Sequence, residues 1–160
     1  MTFEFSLAKI YEEVHVRTYY LAEGLKQKDV DQAIIASSDD DETILKPFAI
    51  LGFNLISQYF LRLLNGATYE VSGDSISYEF TLNDKLKIDP ESLSPIVENT
   101  IFEFVVHFVI WKWLLHIGRF DLARMYEELQ DGLFKEAKDN ISQLAGGNRI
   151  RRRATNLAGI

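Results

Sequence analysis

The feature that most constrains this chain is the run IFEFVVHFVIWKWLLHI at residues 101–117. Thirteen of its seventeen residues are apolar or aromatic, and they show no clean one-sided pattern. A helix that is apolar nearly all round has to be covered by protein or by lipid. What covers this run therefore decides what kind of molecule the chain is.

Interruptions in the run favour protein over lipid as its cover. Crossing a bilayer takes roughly 20 predominantly apolar residues, whereas Glu103, His107, Lys112 and His116 divide this run. Each ionisable group near the centre of a bilayer costs a few kcal/mol. Residues 1–10 also lack the basic and then apolar pattern of a signal peptide. The sequence predicts a cytoplasmic protein that is neither secreted nor embedded in a membrane.

Composition and charge indicate one acidic domain without thiol chemistry. The 160 residues are 47% hydrophobic and 26% charged, which is ordinary for a soluble globular domain. The absence of cysteine excludes disulfides, thiolate metal sites and cysteine nucleophiles. Residues 1–148 carry 13 basic and 24 acidic groups, a balance of −11. Because such a body repels nucleic acid, no sequence-specific nucleic-acid binding is predicted.

Hydrophobic spacing predicts four helices. Apolar residues recur at helical spacing over residues 7–25, 44–64 and 122–144, and a third helix starts near 89–95 and contains the apolar run. Gly118 separates the third helix from the fourth. These four helices are predicted to form the core of the domain.

The predicted helix starts rest on capping residues. Ser6 reads as the N-cap of the first helix, and Ser38 with Asp41 resembles a capping box before the second. Pro47 falls in the first turns of the second helix, where a missing N–H group is tolerated.

A β-hairpin is predicted between the second and third helices. The segments at 68–71 and 76–82 flank the turn Ser72-Gly73-Asp74-Ser75, and apolar and polar residues alternate along the second segment. The prediction is thus a mainly helical α+β fold, a four-helix core with an inserted hairpin at about 68–82. It forms a single domain over residues 1–147, followed by a basic, flexible tail at 148–160.

No motif for catalysis, a cofactor or a metal stands out. His15, His107 and His116 lack metal-ligand spacing, and partly buried, hydrogen-bonded histidines are the favoured interpretation. The acids at 39–42 lack the turn glycine of an ion-binding loop, so they favour a solvated helix start over a hard-cation site. No HExxH, GxSxG or phosphate-binding glycine loop is present. The sequence predicts a protein that is not an enzyme and holds no cofactor or metal.

Aromatic residues in the apolar run are candidates for a subunit or partner interface. Trp111 and Trp113 lie about 200° apart at helical pitch, so one can face the core while the other meets a neighbour. A purely intramolecular core is the open alternative. Phe104 and Phe108 precede them at helical spacing and join the same candidate interface.

The basic tail supplies the other candidate interface residues, Arg149, Arg151, Arg152 and Arg153. They carry four of the 17 basic charges, and no acid lies beyond Asp139. Three interpretations stay open: a solvated tail, an arm that docks on an acidic surface of the next subunit, or a contact with nucleic acid. The acidic body makes the last the weakest.

Three segments of the chain share a pattern of elements with a known family. They are IASSDDD at 35–41 before a helix that ends in FLRLL at 60–64, LSPIVEN at 93–99 before a helix with Trp111-Lys112-Trp113, and a last helix over 122–144 followed by arginines at 151–153. In this order they resemble the head–tail connector or adaptor proteins of tailed bacteriophages, especially those of prophages in gut anaerobes.

This resemblance implies a structural, non-enzymatic protein. Such proteins assemble into rings between portal and tail, with DNA passing through the centre. The implied partners are further copies of this chain and the portal and tail proteins of a virion. An acidic body suits the wall of such a channel because it does not trap the polyanion. The alternative is an intracellular helical module that binds a partner protein or a small molecule.

Overall fold

A computed structural model of the protein describes residues 2–25, 35–63, 68–79 and 90–144, and of residues 60–63, 90 and 144 only the backbone. Its elements follow in chain order: β1 Thr2–Ser6, α1 Leu7–Gly24, α2 Glu42–Leu63, β2 Thr68–Ser72, β3 Ser75–Glu79, α3 Pro90–His116 and α4 Phe120–Leu144. The predicted mainly helical fold, with a hairpin between α2 and α3, is confirmed.

Helix α3 is the element around which the others pack. It contacts α1, α2 and α4, and its fully buried side chains point in several directions around the helix axis. They include Val97, Ile101, Val105, Val106, Val109, Ile110 and Leu114. Within the part of the chain that the structure describes, protein covers most of the apolar run at 101–117.

Close packing between α2 and α3 depends on Gly52. A Cβ atom at this position would lie 3.2 Å from Cδ1 of Phe108, which is tighter than an ordinary van der Waals contact. The missing side chain therefore lets the phenyl ring of α3 sit directly on the α2 backbone. Phe53, the next residue, is buried in the same core.

The β-sheet contains a strand that the sequence analysis missed. Strand β1 pairs antiparallel with β3, from Thr2 opposite Glu79 to Ser6 opposite Ser75. The hairpin partner β2 pairs with the other edge of β3, so the strand order is β1-β3-β2. Phe3 and Phe5 of β1 are buried, and the ring of Phe5 packs on Phe53 of α2 at 5.2 Å.

The hairpin prediction is confirmed for its described part. Ile76 and Tyr78 of β3 are buried, while Ser77 and Glu79 are more exposed, as the alternation predicts. Gly73 in the turn has φ +58°, a backbone conformation that glycine adopts without steric cost. Residues 80–82 lie outside the described residues.

Helix ends follow their local chemistry. Asp41 Oδ2 accepts hydrogen bonds from the backbone N–H of Ser38 at 2.9 Å and from its hydroxyl at 3.0 Å; the predicted capping box is present at the 3-10 turn Asp39–Asp41 that precedes α2. Ser6 occupies the N-cap of α1 without a side-chain capping bond. Gly118, with φ +76°, turns the chain from α3 into α4.

Candidate functional site

Three of the four aromatic candidates for an interface are buried in the chain's own core. Phe104 and Phe108 lie 6.0 Å apart between ring centroids, and Phe104 also packs against Phe134 of α4 at 5.3 Å. The Trp113 indole N–H donates to the carbonyl of Ile35 at 2.8 Å. These three side chains hold helices together within one copy of the protein.

Trp111 is the candidate that reaches the surface. Its ring is partly buried and packs edge-on against Phe108 at 5.6 Å, while the Lys112 ammonium group lies 4.2 Å from the ring centroid. The two tryptophans thus differ as their spacing allows, with Trp113 inside and Trp111 at the margin. A contact between Trp111 and another subunit stays a prediction.

The basic candidates Arg149, Arg151, Arg152 and Arg153 lie outside the described residues. So does the predicted tail at 148–160 as a whole. The three interpretations of that tail stay predictions.

A charged cluster joins α1, α3 and α4. The Arg17 guanidinium donates to both carboxylate oxygens of Glu103 at 2.8 and 2.9 Å, and its Nε donates to Glu13 at 3.0 Å. A further Arg17 N–H group lies 3.1 Å from Nε2 of His107. Because arginine has no acceptor, Nε2 accepts that bond and the ring is held in its neutral form. The ring of His107 in turn packs on Tyr126 at 5.7 Å.

The electrostatics of this cluster follow from its contacts. Hydrogen bonds from Arg17 hold the pKa of Glu103 below its ordinary value. Burial and then the positive charge of Arg17 lower the pKa of His107, against the opposing effect of Glu103. Burial also raises the pKa of Tyr126, which the charge of Arg17 partly offsets. At neutral pH the cluster is an ion pair beside a neutral imidazole, and its role on these contacts is to fix helix packing.

Exposed apolar side chains border this cluster on two helices. On α1 they are Val16, Tyr19 and Tyr20, with 68% of Tyr20 exposed; on α4 they are Met125 and Leu129, with 62% and 54% exposed. Arg17 follows Val16 and Tyr126 follows Met125 in sequence, so the α1 edge and the α4 edge each lie next in sequence to a residue of the Arg17 cluster. Large apolar side chains grouped in this way are characteristic of interaction surfaces.

An open groove lies where the sheet meets the start of α3. Its volume is about 690 Å³, and ionisable side chains in its lining are Glu4, Lys9, Asp74 and Glu98. Asp74 is held by Lys46, whose ammonium group lies 3.3 Å from the carboxylate. The alternative interpretation of the sequence, a module that binds a partner protein or a small molecule, stays a prediction.

His15 and two acids form the one group in the described part of the chain that could hold a metal ion. A ligand atom of each of His15, Asp39 and Glu42 lies within 4.8 Å of the others. The ring belongs to α1, Asp39 to the 3-10 turn before α2, and Glu42 to the first position of α2. Sequence analysis missed this convergence because it considered the histidines and the acids separately. Only the fold brings position 15 to position 39.

Helix α3 also has the length and composition of a membrane span. Residues Glu91–His116 are apolar enough to cross a bilayer, and 56% of the most apolar window is buried inside the protein. Core helices of soluble proteins share this property, so the predicted location outside membranes stays a prediction.

Comparison of this chain with models of protein families, with curated proteins and with solved structures finds no match. Its function is therefore inferred from its own residues and contacts.

Proposed function

We propose that this chain is a non-enzymatic structural protein of a phage or prophage particle. It acts as a head–tail connector or tail-completion component that forms a homo-oligomer around the DNA channel and contacts portal and tail proteins. Its location is the cytoplasm during expression and then the virion. The observation that carries the proposal is the pair of exposed apolar edges on α1 and α4.

The two edges suit contacts between copies because they differ from each other. The α1 edge presents the aromatic side chains of Tyr19 and Tyr20, whereas the α4 edge presents the flexible Met125 and Leu129. When the α1 edge of one copy meets the α4 edge of the next, the contact is head-to-tail. Repeated head-to-tail contacts produce a ring when the rotation between copies closes.

The negative charge of the protein supports a position of the oligomer around DNA. Residues 1–148 carry an excess of 11 negative charges, and like charge keeps a polyanion from binding to the wall of a channel. The element order that resembles connector proteins supports the phage context.

Size measurement with matched variants tests the oligomer. We expect the apparent mass in light scattering to rise with protein concentration, and Tyr20→Glu or Leu129→Glu to hold the chain as a monomer. Leu51→Glu on α2 is the matched control. Leu51 is also an exposed apolar side chain, with 44% of it exposed, and it lies outside both edges. A wild-type protein that stays monomeric at millimolar concentration contradicts assembly through these edges. Equal effects of the three variants contradict it as well.

The phage context has a separate test. Mass spectrometry of tailed particles purified after prophage induction should detect this chain together with portal and tail proteins. Negative-stain images of the purified oligomer should show rings with a central opening. Absence of the chain from such particles, together with genome neighbours unrelated to virion assembly, contradicts the phage role even if the chain oligomerises.

A further inference from the structure

The imidazole of His15 is held by a buried chain of hydrogen bonds. Its Nδ1 lies 2.8 Å from the hydroxyl of Ser37, and that hydroxyl lies 3.1 Å from the hydroxyl of Thr18. Thr18 is fully buried and Ser37 nearly so. The ring therefore has a fixed position where α1 meets the residues that precede α2.

One arrangement of the hydrogens along this chain places a proton on Nδ1 of the ring. The Thr18 hydroxyl donates its only hydrogen to the carbonyl of Val14 at 2.8 Å, and its oxygen accepts from the backbone N–H of Ser37 at 3.1 Å. When the Ser37 hydroxyl donates to Thr18, its oxygen accepts from Nδ1 of His15. In the neutral ring with this arrangement, Nδ1 carries the proton and Nε2 keeps an unshared electron pair.

This electron pair faces negative charge. Nε2 is buried and has no hydrogen-bond partner within the described residues, and it lies 3.7 Å from Oδ1 of Asp39. An electron pair and a carboxylate repel each other unless a proton or a metal ion lies between them. Two ligands bound about 2.1 Å from one tetrahedral ion are roughly 3.4 Å apart, close to the distance seen here.

A second buried polar atom lies within electrostatic reach of Glu42. The Tyr11 hydroxyl, one turn before His15 on α1, also lacks a partner within the described residues, and its side chain is 95% buried, with 5% exposed. Burial, and then the charges of Glu42 and Asp74, raise the pKa of Tyr11 to about 12. Glu42 thus lies close enough to act on this hydroxyl, which stays protonated and able to donate to a carboxylate or to a bound water.

We propose that His15, Asp39 and Glu42 bind a divalent transition-metal ion of the Zn²⁺ type, with water completing the coordination. Imidazole nitrogen and carboxylate oxygen are both ligands of such ions, and three protein ligands with water in the fourth position is the arrangement of catalytic zinc sites. A hydrogen bond from Nδ1 to a fixed acceptor, here Ser37, is the usual way in which proteins orient a metal-binding histidine. Asp41 is outside the set because its carboxylate caps Ser38.

The proposed ion joins α1 to the start of α2. A metal ion here would be contrary to the prediction from sequence, in which the chain holds no metal and a solvated helix start is favoured for the acids at 39–42. The site is independent of the proposed structural role, since it lies on other residues than the α1 and α4 edges. An ion that binds the folded chain alone also stabilises it.

Calorimetric titration of the tag-free chain with ZnCl₂ tests the site. We expect one ion per chain and a rise in the thermal unfolding midpoint on adding Zn²⁺. Binding should weaken at least about tenfold in His15→Gln and in Asp39→Asn or Glu42→Gln, given the size of losses usual at metal sites. Both acids are exposed, so their amide variants keep the fold.

Two variants serve as matched controls. His116→Gln removes an exposed histidine whose described contacts are with the rings of Phe48 and Trp113, and Asp40→Asn removes an acid from the same run. Both should bind Zn²⁺ like the wild type. Co²⁺ should give a visible absorption band that changes in His15→Gln, which reports the nitrogen ligand directly.

Three results would overturn the site. One is the absence of Zn²⁺ binding at millimolar metal, which would make the contact of His15 with Asp39 a proton-linked ion pair. Another is unchanged Zn²⁺ binding in His15→Gln, which would mean that the acidic residues bind the ion without the imidazole. The last is Ca²⁺ or Mg²⁺ binding as tight as that of Zn²⁺, since neither ion favours imidazole.

Discussion

The side of α3 that faces α4 and the side that faces α1 are held by different interactions. Towards α4, α3 presents the ring of Phe104, which packs on Phe134 near the buried Ala137 and Ile141. Towards α1 the described side-chain hydrogen bonds include the bidentate pair of Arg17 with Glu103, beside the buried Ile10 and Val14 of α1. The first side is mainly apolar, and the second adds a charged pair to its apolar contacts.

The two sides of α3 therefore have different roles, one in the stability of the fold and the other in the orientation of α1. Apolar burial contributes most of the free energy of folding but is not directional. A bidentate pair of arginine and carboxylate is directional, since both parallel hydrogen bonds form at one geometry only. We infer that the α4 side supplies the larger stabilisation and that the Arg17 cluster fixes the rotation of α1 about its axis.

Truncating the apolar side should have the largest effect. We expect Phe104→Ala to lower the free energy of unfolding by about 3–5 kcal/mol, because it leaves a cavity between α3 and α4. Denaturant unfolding followed by circular dichroism measures the loss. Phe120→Ala is the control, with 68% of that side chain exposed, and should change stability by under about 0.5 kcal/mol. Similar losses in both variants would contradict the inference that the α4 side of α3 supplies the larger stabilisation.

Removing the charged contact should cost less. Arg17→Met keeps the apolar stem and leaves Glu103 without its partner; we expect a loss of about 1–2 kcal/mol, since both side chains are partly exposed. A double-mutant cycle with Glu103→Gln isolates the coupling energy. Arg119→Met is the matched control, because Arg119 pairs with Asp121 at 3.0 Å, an exposed acid two residues away. A coupling energy near zero would remove the proposed orienting role.

Substitutions at Gly52 and Gly132 compare a packed helix surface with an open one. A Cβ atom at Gly132 of α4 would meet nothing within 4 Å, whereas at Gly52 it would press on Phe108. Gly132→Ala should therefore raise the free energy of unfolding by about 0.5–1 kcal/mol through helix propensity. Gly52→Ala should fail to show that gain, because Phe108 is buried and has little room to move. Equal gains, measured by thermal and denaturant unfolding, would show that the α2–α3 contact is looser than described.

Lowering the pH should weaken the contact of α3 with α1 selectively, and this effect should be the smallest of the four predicted here. The lowered pKa of His107 means that the unfolded chain binds a proton near the ordinary value of 6.5 while the folded chain does not. The contribution of neutral His107 to the free energy of unfolding is fully present above pH 6.5. It is lost as the pH falls through the lowered pKa of the folded state. Loss from Glu103 follows at lower pH, because its folded pKa is also lowered.

The test of this pH dependence compares denaturant unfolding at several pH values between 5 and 8, a range chosen around the ordinary histidine pKa. His107→Gln should flatten the slope below pH 6.5, and His116→Gln, at an exposed histidine, should leave it unchanged. Equal slopes in wild type and His107→Gln would mean that the Arg17 cluster does not couple folding to protons.

Helices were predictable because their signals are local. The apolar spacing at 7–25 and the Ser38–Asp41 capping box each depend on residues within a few turns, and both appear in the structure. Strand β1 was missed although Phe3 and Phe5 alternate with polar residues. Five residues are a short alternating run, and the partner β3 lies more than 70 positions away in the chain.

Contacts at the candidate site depend on the fold. Arg17 and Glu103 are 86 positions apart, and which of the many acids meets Arg17 is decided by the rotation of α1 against α3. Trp113 shows the same limit, since helical pitch separates it from Trp111 without saying which ring is inside. The hydrogen bond to Ile35 settles that in favour of Trp113.

The turn at Gly118 has a consequence for how quickly this chain folds. It joins the two longest helices, α3 and α4, through residues 117–119 only, so the aromatic contact of Phe104 with Phe134 spans 30 positions of the chain. Pairing of β1 with β3 must instead close a loop of some 70 residues. Because local contacts lose less chain entropy on forming, we expect the α3–α4 hairpin to be structured in the folding transition state and the β1 strand to dock last.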